Sequence, residues 1–150
     1  MRLVQKREEI ARMNPWRAVK SMKGIAMEKY HAMEHEYPSK VDVLAKWGYD
    51  PKQLHHLLRV EEYLGRYIAG ESYVSCLRPH NSEYLVSVKR GKYDLDIACV
   101  IAKTAIDNVT RIADAFCAEH EDKEDFEMRE LLEDVSYSIM RIAVEKELSK

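Results

Sequence analysis

Three side chains that can bind an anion recur on one face of a predicted helix. Lys52, His56 and Arg59 are spaced four and three residues apart, which places them on the same side of an α-helix. Lysine supplies a point charge, arginine a two-pronged donor, and histidine a donor that strengthens when protonated. The three lie in the first turns of the helix, where the helix dipole favours anions. The pattern predicts a phosphate or triphosphate site, and a solvated basic face is the alternative interpretation.

A second pattern that could do chemistry is His31-Ala32-Met33-Glu34-His35. It matches the His-x-x-Glu-His arrangement of inverted zinc peptidases, in which two histidines one helical turn apart bind zinc and the glutamate acts as the base. A third ligand would have to come from elsewhere in the chain. So short a pattern arises readily in a helix rich in Glu and His. The sequence therefore favours no metal site at His31, Glu34 and His35.

The elements that must position these side chains are helices. Asp50-Pro51 combines a capping residue with a proline suited to the first helical position, and Gly70 is a typical residue after a helix end. The same signals, together with apolar residues at helical spacing, predict the other long elements. The predicted helices span about 15–36, 51–69, 82–90 (capped by Asn81 or Ser82), 94–119 and 124–148, with a short helix at 3–13.

The fold class that follows is all-α, a bundle of about five helices in a single domain over 1–150. We expect the helix at 51–69 at its centre, with 94–119 and 124–148 packed beside it. Residues 71–80 predict a loop, because Ser72 to Leu77 favour an extended backbone and Pro79 follows. The buried stripe of the helix at 94–119 is predicted to comprise Ile97, Val100, Ile101, Ile106, Val109, Ile112 and Phe116.

Composition excludes several classes of protein. The chain of 150 residues is 46% apolar and 33% charged with five Gly and four Pro, which is typical of a helix-rich globular domain and not of a disordered or collagen-like chain. Lys+Arg 24 against Asp+Glu 26 gives a net charge of −2, so no global positive field attracts nucleic acid or anionic lipid. RNA is a possible partner that the net charge does not support. Any phosphate binding must depend on a local group of basic residues.

Neither a membrane span nor a secretion signal is predicted. The longest apolar run, Ile97 to Ala102, is far shorter than the roughly 20 residues that a spanning helix needs. The first ten residues contain no apolar core of a signal peptide, so we expect a cytoplasmic protein. Cys76, Cys99 and Cys117 lack C-x-x-C spacing, which argues against a disulfide framework or a cysteine zinc site.

Three segments around the anion-binding residues carry a resemblance to a known family. They are KWGYDPKQLHHLLR at 46–59, Leu77-Arg78-Pro79, and Lys89-Arg90-Gly91-Lys92-Tyr93. In order and spacing they resemble the helical C-terminal half of predicted nucleotidyltransferases of the DNA-polymerase-beta superfamily, including the RNA-ligase-associated type of bacteria and phages. Lys23 to Tyr30 is similar to the helix that precedes this motif in the family. The resemblance covers about 15–118.

This resemblance implies roles for individual residues. Lys52, His56 and Arg59 would contact the phosphates of a nucleotide, and Asp50 and Tyr49 would shape the turn that leads into the helix. Arg78 and Arg90 would be further nucleotide-binding residues. The implied partner is a nucleoside triphosphate.

The chain departs from the family at the catalytic domain. Family members carry an N-terminal α/β domain whose Gly-Ser turn and Asp-x-Asp strand hold the triphosphate and two metal ions. Asp94-Leu95-Asp96 imitates the acidic strand, but no Gly-Ser precedes it, and Asp94 is better placed as a helix cap after Gly91. Whether the chain is itself an enzyme is therefore left open, with no catalytic residue assigned.

Two functions remain open. In the first, the chain is the helical substrate- and nucleotide-binding part of a nucleotidyltransferase-like protein, and a separate catalytic domain or chain supplies nucleotidyl transfer. Mg²⁺ would be a cofactor only with that domain or chain. In the alternative, the chain is a non-catalytic helical protein that uses an apolar face to form a homo-oligomer or to bind another protein.

Overall fold

A computed structural model describes residues 2–149, with the side chain of Arg2 left aside, and all the regular secondary structure in this part of the chain is helical. No helix in this part is long and apolar enough to cross a membrane. The described elements, in chain order, are α1 (Arg2–Gln5), α2 (Arg7–Ala11), α3 (Pro15–Ala32), a 3-10 helix (Pro38–Lys40), α4 (Val41–Trp47), α5 (Pro51–Ile68), α6 (Tyr73–Cys76), α7 (Ser82–Lys89), α8 (Leu95–Glu119) and α9 (Phe126–Leu148).

The predicted all-α class is confirmed, and the capping residues explain why most long helices begin where predicted. Each of four helices starts after a side-chain oxygen that accepts a hydrogen bond from the first turn. These residues are Asp50 before α5, Asn81 before α7, Asp94 before α8 and Asp125 before α9. Gly70 and Gly91 follow α5 and α7 with φ of +83°, a conformation that glycine adopts without strain.

Other boundaries differ from the prediction. α3 ends at Ala32 and not near residue 36. Tyr73–Cys76 forms a helical turn inside the predicted loop, because the Ser72 hydroxyl accepts a hydrogen bond from the Ser75 amide and caps it. The segment at 3–13 is divided into α1 and α2, and α4 was not predicted. The five helices predicted from residue 15 onward correspond to α3, α5, α7, α8 and α9, and the short α4, α6 and 3-10 helix were not predicted.

The chain divides into two compact units, Trp16–Glu121 and the residues up to Pro15 together with those from Asp122 onward. In the first unit α5 packs mainly against α8 and α7. Leu54, Leu57 and Leu64 of α5 are fully buried there. The core of buried residues extends from Val19 to Ala113 and so lies inside this unit.

The buried face of α8 is made of smaller residues than predicted. Ile97 and Val100 are exposed, at 48% and 67%, so their assignment to the buried stripe is wrong. Ile106 and Val109 are buried as predicted, and Ile101, Ile112 and Phe116 are partly buried against the core. The remaining buried positions are alanines, at residues 98, 102, 105 and 113. A seam of alanine lets a neighbouring helix approach closely, since interaxial distance depends on the side chains at the contact.

In the second unit, backbone and side-chain hydrogen bonds join its two segments. The amide of Asp125 donates to the carbonyl of Met13 at 2.7 Å, and the Asn14 amide nitrogen donates to Asp122 Oδ1 at 2.8 Å. Met128 and Leu131 in the first turns of α9 are buried. From residue 136 to residue 149 every residue is exposed.

Candidate functional site

Asp50 fixes the start of α5 through three contacts. One carboxylate oxygen accepts from the Lys52 amide at 3.0 Å, and the other is 3.0 Å from Lys40 Nζ. The Asp50 amide donates to the carbonyl of Met33, the residue after α3, at 2.7 Å. The side chain of Asp50 is 5% exposed. Because the protein's own carboxylate occupies the N-terminus of α5, a ligand anion would have to bind the side chains along the helix.

Tyr49 helps to hold this turn in place. Its ring is fully buried, and its hydroxyl donates to the carbonyl of Tyr93 at 2.8 Å. Burial, followed by the charge of Asp94, raises the pKa of the Tyr49 hydroxyl above its ordinary value. The side chains of Tyr49 and Asp50 are therefore both buried at the turn that leads into α5.

Lysines of three helices act on His56 through their charge. Lys52 is one turn before it on α5, Lys29 comes from the last turn of α3, and Lys89 is the last residue of α7. Burial is the largest cause that lowers the pKa of His56, and the charges of Lys52, Lys29 and Lys89 lower it further, while Asp50 opposes them. We call Lys29, Lys52, His56 and Lys89 the cationic cluster.

The cationic cluster has an excess of positive charge. Lys29 Nζ is paired with Glu28 at 2.7 Å, and the nearby Asp50 is paired with Lys40. Within residues 2–149, no carboxylate forms an ion pair with Lys52 or Lys89, and both side chains are exposed. Two ammonium groups beside a half-buried imidazole, with no acidic partner of their own, favour an anionic ligand.

His55 lies beside the cluster with its ring edge toward His56, at 5.1 Å between ring centroids. Its Nδ1 is buried and has no hydrogen-bond partner in the described part of the chain. Burial is again the largest cause that lowers the pKa of His55, followed by the charges of His56, Lys89 and Arg59.

Arg59 is turned toward the α6 segment. Its Nη2 donates to the carbonyl of Cys76 at 2.7 Å, and its Nη1 lies 3.6 Å from Glu62 Oε2. Nη2 is therefore engaged within the fold, whereas Nη1 is buried with no hydrogen-bond partner in the described residues, and the charge of Arg59 lowers the pKa of His55 but is not among the charges that act on His56. Of the three residues in the predicted stripe, the structure brings Lys52 and His56 together with Lys29 and Lys89.

The other two arginines of the predicted site lie apart. The side chains of Arg78 and Arg90 are exposed, and neither is among the charges that act on His56. The carbonyl of Arg78 accepts from Arg66 Nη1 at 2.6 Å, which holds the chain after α6. Arg90 lines a shallow open depression with Ser87 and Lys92.

The His-x-x-Glu-His pattern does not form a helical metal motif. α3 ends at Ala32, so His31 and His35 are not one turn apart on a helix. Glu34 Oε1 accepts from the thiol of Cys99 at 3.0 Å, and the His35 ring packs on Tyr37 at 4.4 Å between centroids. Burial and the Glu34 carboxylate raise the pKa of Cys99 to about 11. In the part of the chain that the structure describes, no three His, Cys, Asp or Glu side chains are grouped to hold a metal ion.

Sequence reasoning missed Lys29 and Lys89, since each reaches the site from another helix. Each of the two is a basic residue in the last turn of its helix, and this position is the only sequence feature that we find in common. That position is usual for a lysine that stabilises a helix C-terminus. Only the packing of α3 and α7 beside the start of α5 brings them to His56.

Comparison with protein-family models, with curated proteins and with solved structures finds no match for this chain. The geometry of the cationic cluster therefore carries the functional argument, and the resemblance to nucleotidyltransferases stays a prediction.

Proposed function

We propose that this protein is the nucleotide-binding helical part of a nucleotidyl-transfer system, and that the cationic cluster binds the phosphates of a nucleoside triphosphate. The observations that support this proposal are that Lys52 lies one turn before the partly buried His56 on α5, and that the charges of Lys29 and Lys89 also act on this ring and lower its pKa. A chain of phosphates can contact several ammonium groups at once, whereas a single carboxylate ligand would leave some of them without a partner.

The chemistry of transfer lies outside this site in the proposal. Nucleotidyl transfer needs acidic side chains that hold metal ions against the phosphates. The described residues bring no such group together, and Asp94 caps α8. The helical part would hold the nucleotide, and a separate domain or chain would supply the acids and Mg²⁺.

Calorimetric titration tests this proposal. We expect ATP, GTP, CTP or UTP to bind the wild-type protein, and Lys52→Ala/Lys89→Ala to weaken binding about tenfold or more for each lysine removed, because hydrogen bonds to charged groups contribute roughly 1.5–3 kcal/mol each. The titrations are made with and without magnesium. Both lysines are exposed, so the variant should unfold at the same temperature as the wild type.

The matched control is Lys123→Ala/Lys146→Ala, which removes the same charge from two exposed lysines that do not belong to the cluster. It should leave the affinity unchanged. Equal losses in both double variants would mean that only net charge matters, which contradicts a site. No binding by the wild type at millimolar nucleotide would contradict the proposal itself.

A second candidate function rests on the exposed apolar residues of α9. Ile139 and Ile142 are 62% and 60% exposed, and Tyr137, Met140 and Val144 are exposed near them. Exposed apolar groups of this extent are typical of an interaction surface. In this candidate function the protein self-associates through α9 and performs no nucleotide chemistry.

A further inference from the structure

Two adjacent histidines at the cationic cluster, His55 and His56, can change charge near neutral pH. The rings of His55 and His56 meet edge to face at 5.1 Å. An imidazole has an ordinary pKa of about 6.5, so each ring could gain a proton where the lysines are already charged. Two imidazolium ions so close would repel each other, so the first proton taken up by the pair opposes uptake of a second.

His56 is the ring that can accept this proton. Protonation of His55 would place a hydrogen on Nδ1, which is buried and faces no acceptor in the described structure. A buried donor with no partner is costly. Neither ring nitrogen of His56 is buried in this way.

The charged groups around His56 oppose its protonation when no ligand is bound. Lys29 faces it from α3 and Lys89 from α7, while Lys52 lies on α5 itself. Asp50 is the one acid that acts in the opposite direction, and its carboxylate is already shared between Lys40 and the α5 cap. The pKa of His56 is thus lowered in the free fold, so the ring stays neutral to a lower pH than an ordinary histidine does.

A bound anion reverses this balance. Its negative charge offsets the repulsion from the three lysines and favours the charged ring. The imidazolium then has a second N–H, which can donate to an anion oxygen. Linkage requires that a ligand which favours the protonated ring binds more tightly where that proton is available.

We propose that anion binding at the cationic cluster is coupled to the uptake of one proton from solvent by His56, so that the site holds its ligand more tightly as the pH falls. This inference rests on the proposed function, since it needs a phosphate-bearing ligand at that site. It adds that the ligand is taken up and released with pH, and that His56 is the residue responsible.

Titration calorimetry in two buffers of different ionisation enthalpy measures the proton count. PIPES and Bis-Tris are suitable at about pH 6.5, near the ordinary pKa of histidine. We expect the wild-type protein to take up a fraction of a proton, approaching one, for each ATP bound. His56→Asn should lose this uptake, whereas the exposed His35→Asn should keep it. Inorganic sulfate, which does not titrate in this range, separates uptake by the protein from uptake by the nucleotide.

A proton NMR titration of the histidine rings provides a readout on the unmodified protein. The pKa of His56 should rise when ATP or sulfate is added, and that of His55 should stay low. ATP binding with no proton uptake, or uptake unchanged in His56→Asn, would overturn this inference and leave the nucleotide site standing. No binding of either anion at any pH would overturn both.

Discussion

Asp50 shows how one residue can decide what kind of anion site a helix offers. A free helix N-terminus binds phosphate through backbone N–H groups. In α5 the Asp50 carboxylate already accepts from the Lys52 amide. In the proposed site, phosphate recognition would therefore fall to the side chains of the cationic cluster, which can accommodate more varied phosphate geometries than a fixed set of amides.

Gly91 and Gly70 offer a matched pair of substitutions. Both have φ of +83°, so alanine at either position costs about 1–2 kcal/mol of backbone strain. A Cβ on Gly70 would meet open space, whereas a Cβ on Gly91 would overlap ring carbons of Trp47. Overpacking adds roughly 1–3 kcal/mol. We expect Gly91→Ala to lower the free energy of unfolding clearly more than Gly70→Ala, as measured by urea denaturation.

The difference in unfolding free energy between the two alanine variants measures the overlap with the Trp47 ring, because the cost of backbone strain is common to both. Equal losses would show that Trp47 moves aside without cost. That result would contradict a close fit between α4 and the turn after α7.

Within the site, the sequence allowed prediction of the residues that share one helix. Lys52 and His56 follow from helical spacing, and Asp50 follows from its position before a proline. Arg59 has the right spacing, but the carbonyl of Cys76 and the carboxylate of Glu62 engage its guanidinium. Spacing along one helix carries no information about partners on the next segment.

At the scale of elements, capping residues and apolar spacing predicted most helix starts. The buried face of α8 was predicted less well, because its buried residues are small. The stripe predicted for α8 gave weight to large apolar residues such as Ile97 and Val100. The helix instead buries Ala98, Ala102 and Ala105, which carry little hydrophobic signal. The short helices α4 and α6 have too few residues to show a period.

The apolar residues at the end of α9 lead to a prediction about association. Ile139 and Ile142 continue the spacing of the buried Met128 and Leu131, yet both are exposed. If α9 is a self-association surface, Ile139→Ser/Ile142→Ser should shift sedimentation toward the monomer at all concentrations. Because both side chains are exposed, the thermal midpoint of the monomer should barely change.

The control is Val41→Ser/Val100→Ser, which removes two exposed apolar side chains from α4 and α8. It should leave the association unchanged. A wild-type protein that stays monomeric at every concentration would contradict the second candidate function.

At the scale of the whole molecule, the main cluster of buried apolar residues lies in one of the two units, while Met128 and Leu131 are buried in the other. The members of the main cluster run from Val19 to Ala113, all within Trp16–Glu121. Because a domain with its own core can fold alone, we expect residues 16–121 to unfold cooperatively on heating when produced by themselves. Circular dichroism and differential scanning calorimetry measure this transition.

Leu57→Ala in the same fragment is the internal control. Leu57 is fully buried, and its truncation should cost about 2–5 kcal/mol. A fragment with helical signal but no cooperative transition would contradict the expectation of independent folding.

The contacts of Asp50 also bear on how the chain folds. Its partners Met33 and Lys40 precede it by no more than seventeen residues, whereas the bond between Glu61 and Asn108 spans 47. Closing a short loop costs less chain entropy than closing a long one, by about 0.6 kcal/mol for each doubling. The corner that joins α3 to α5 can therefore close while α8 is still unfolded. Lys29, Lys52 and His56 would then be gathered by contacts that are local in sequence, early in folding.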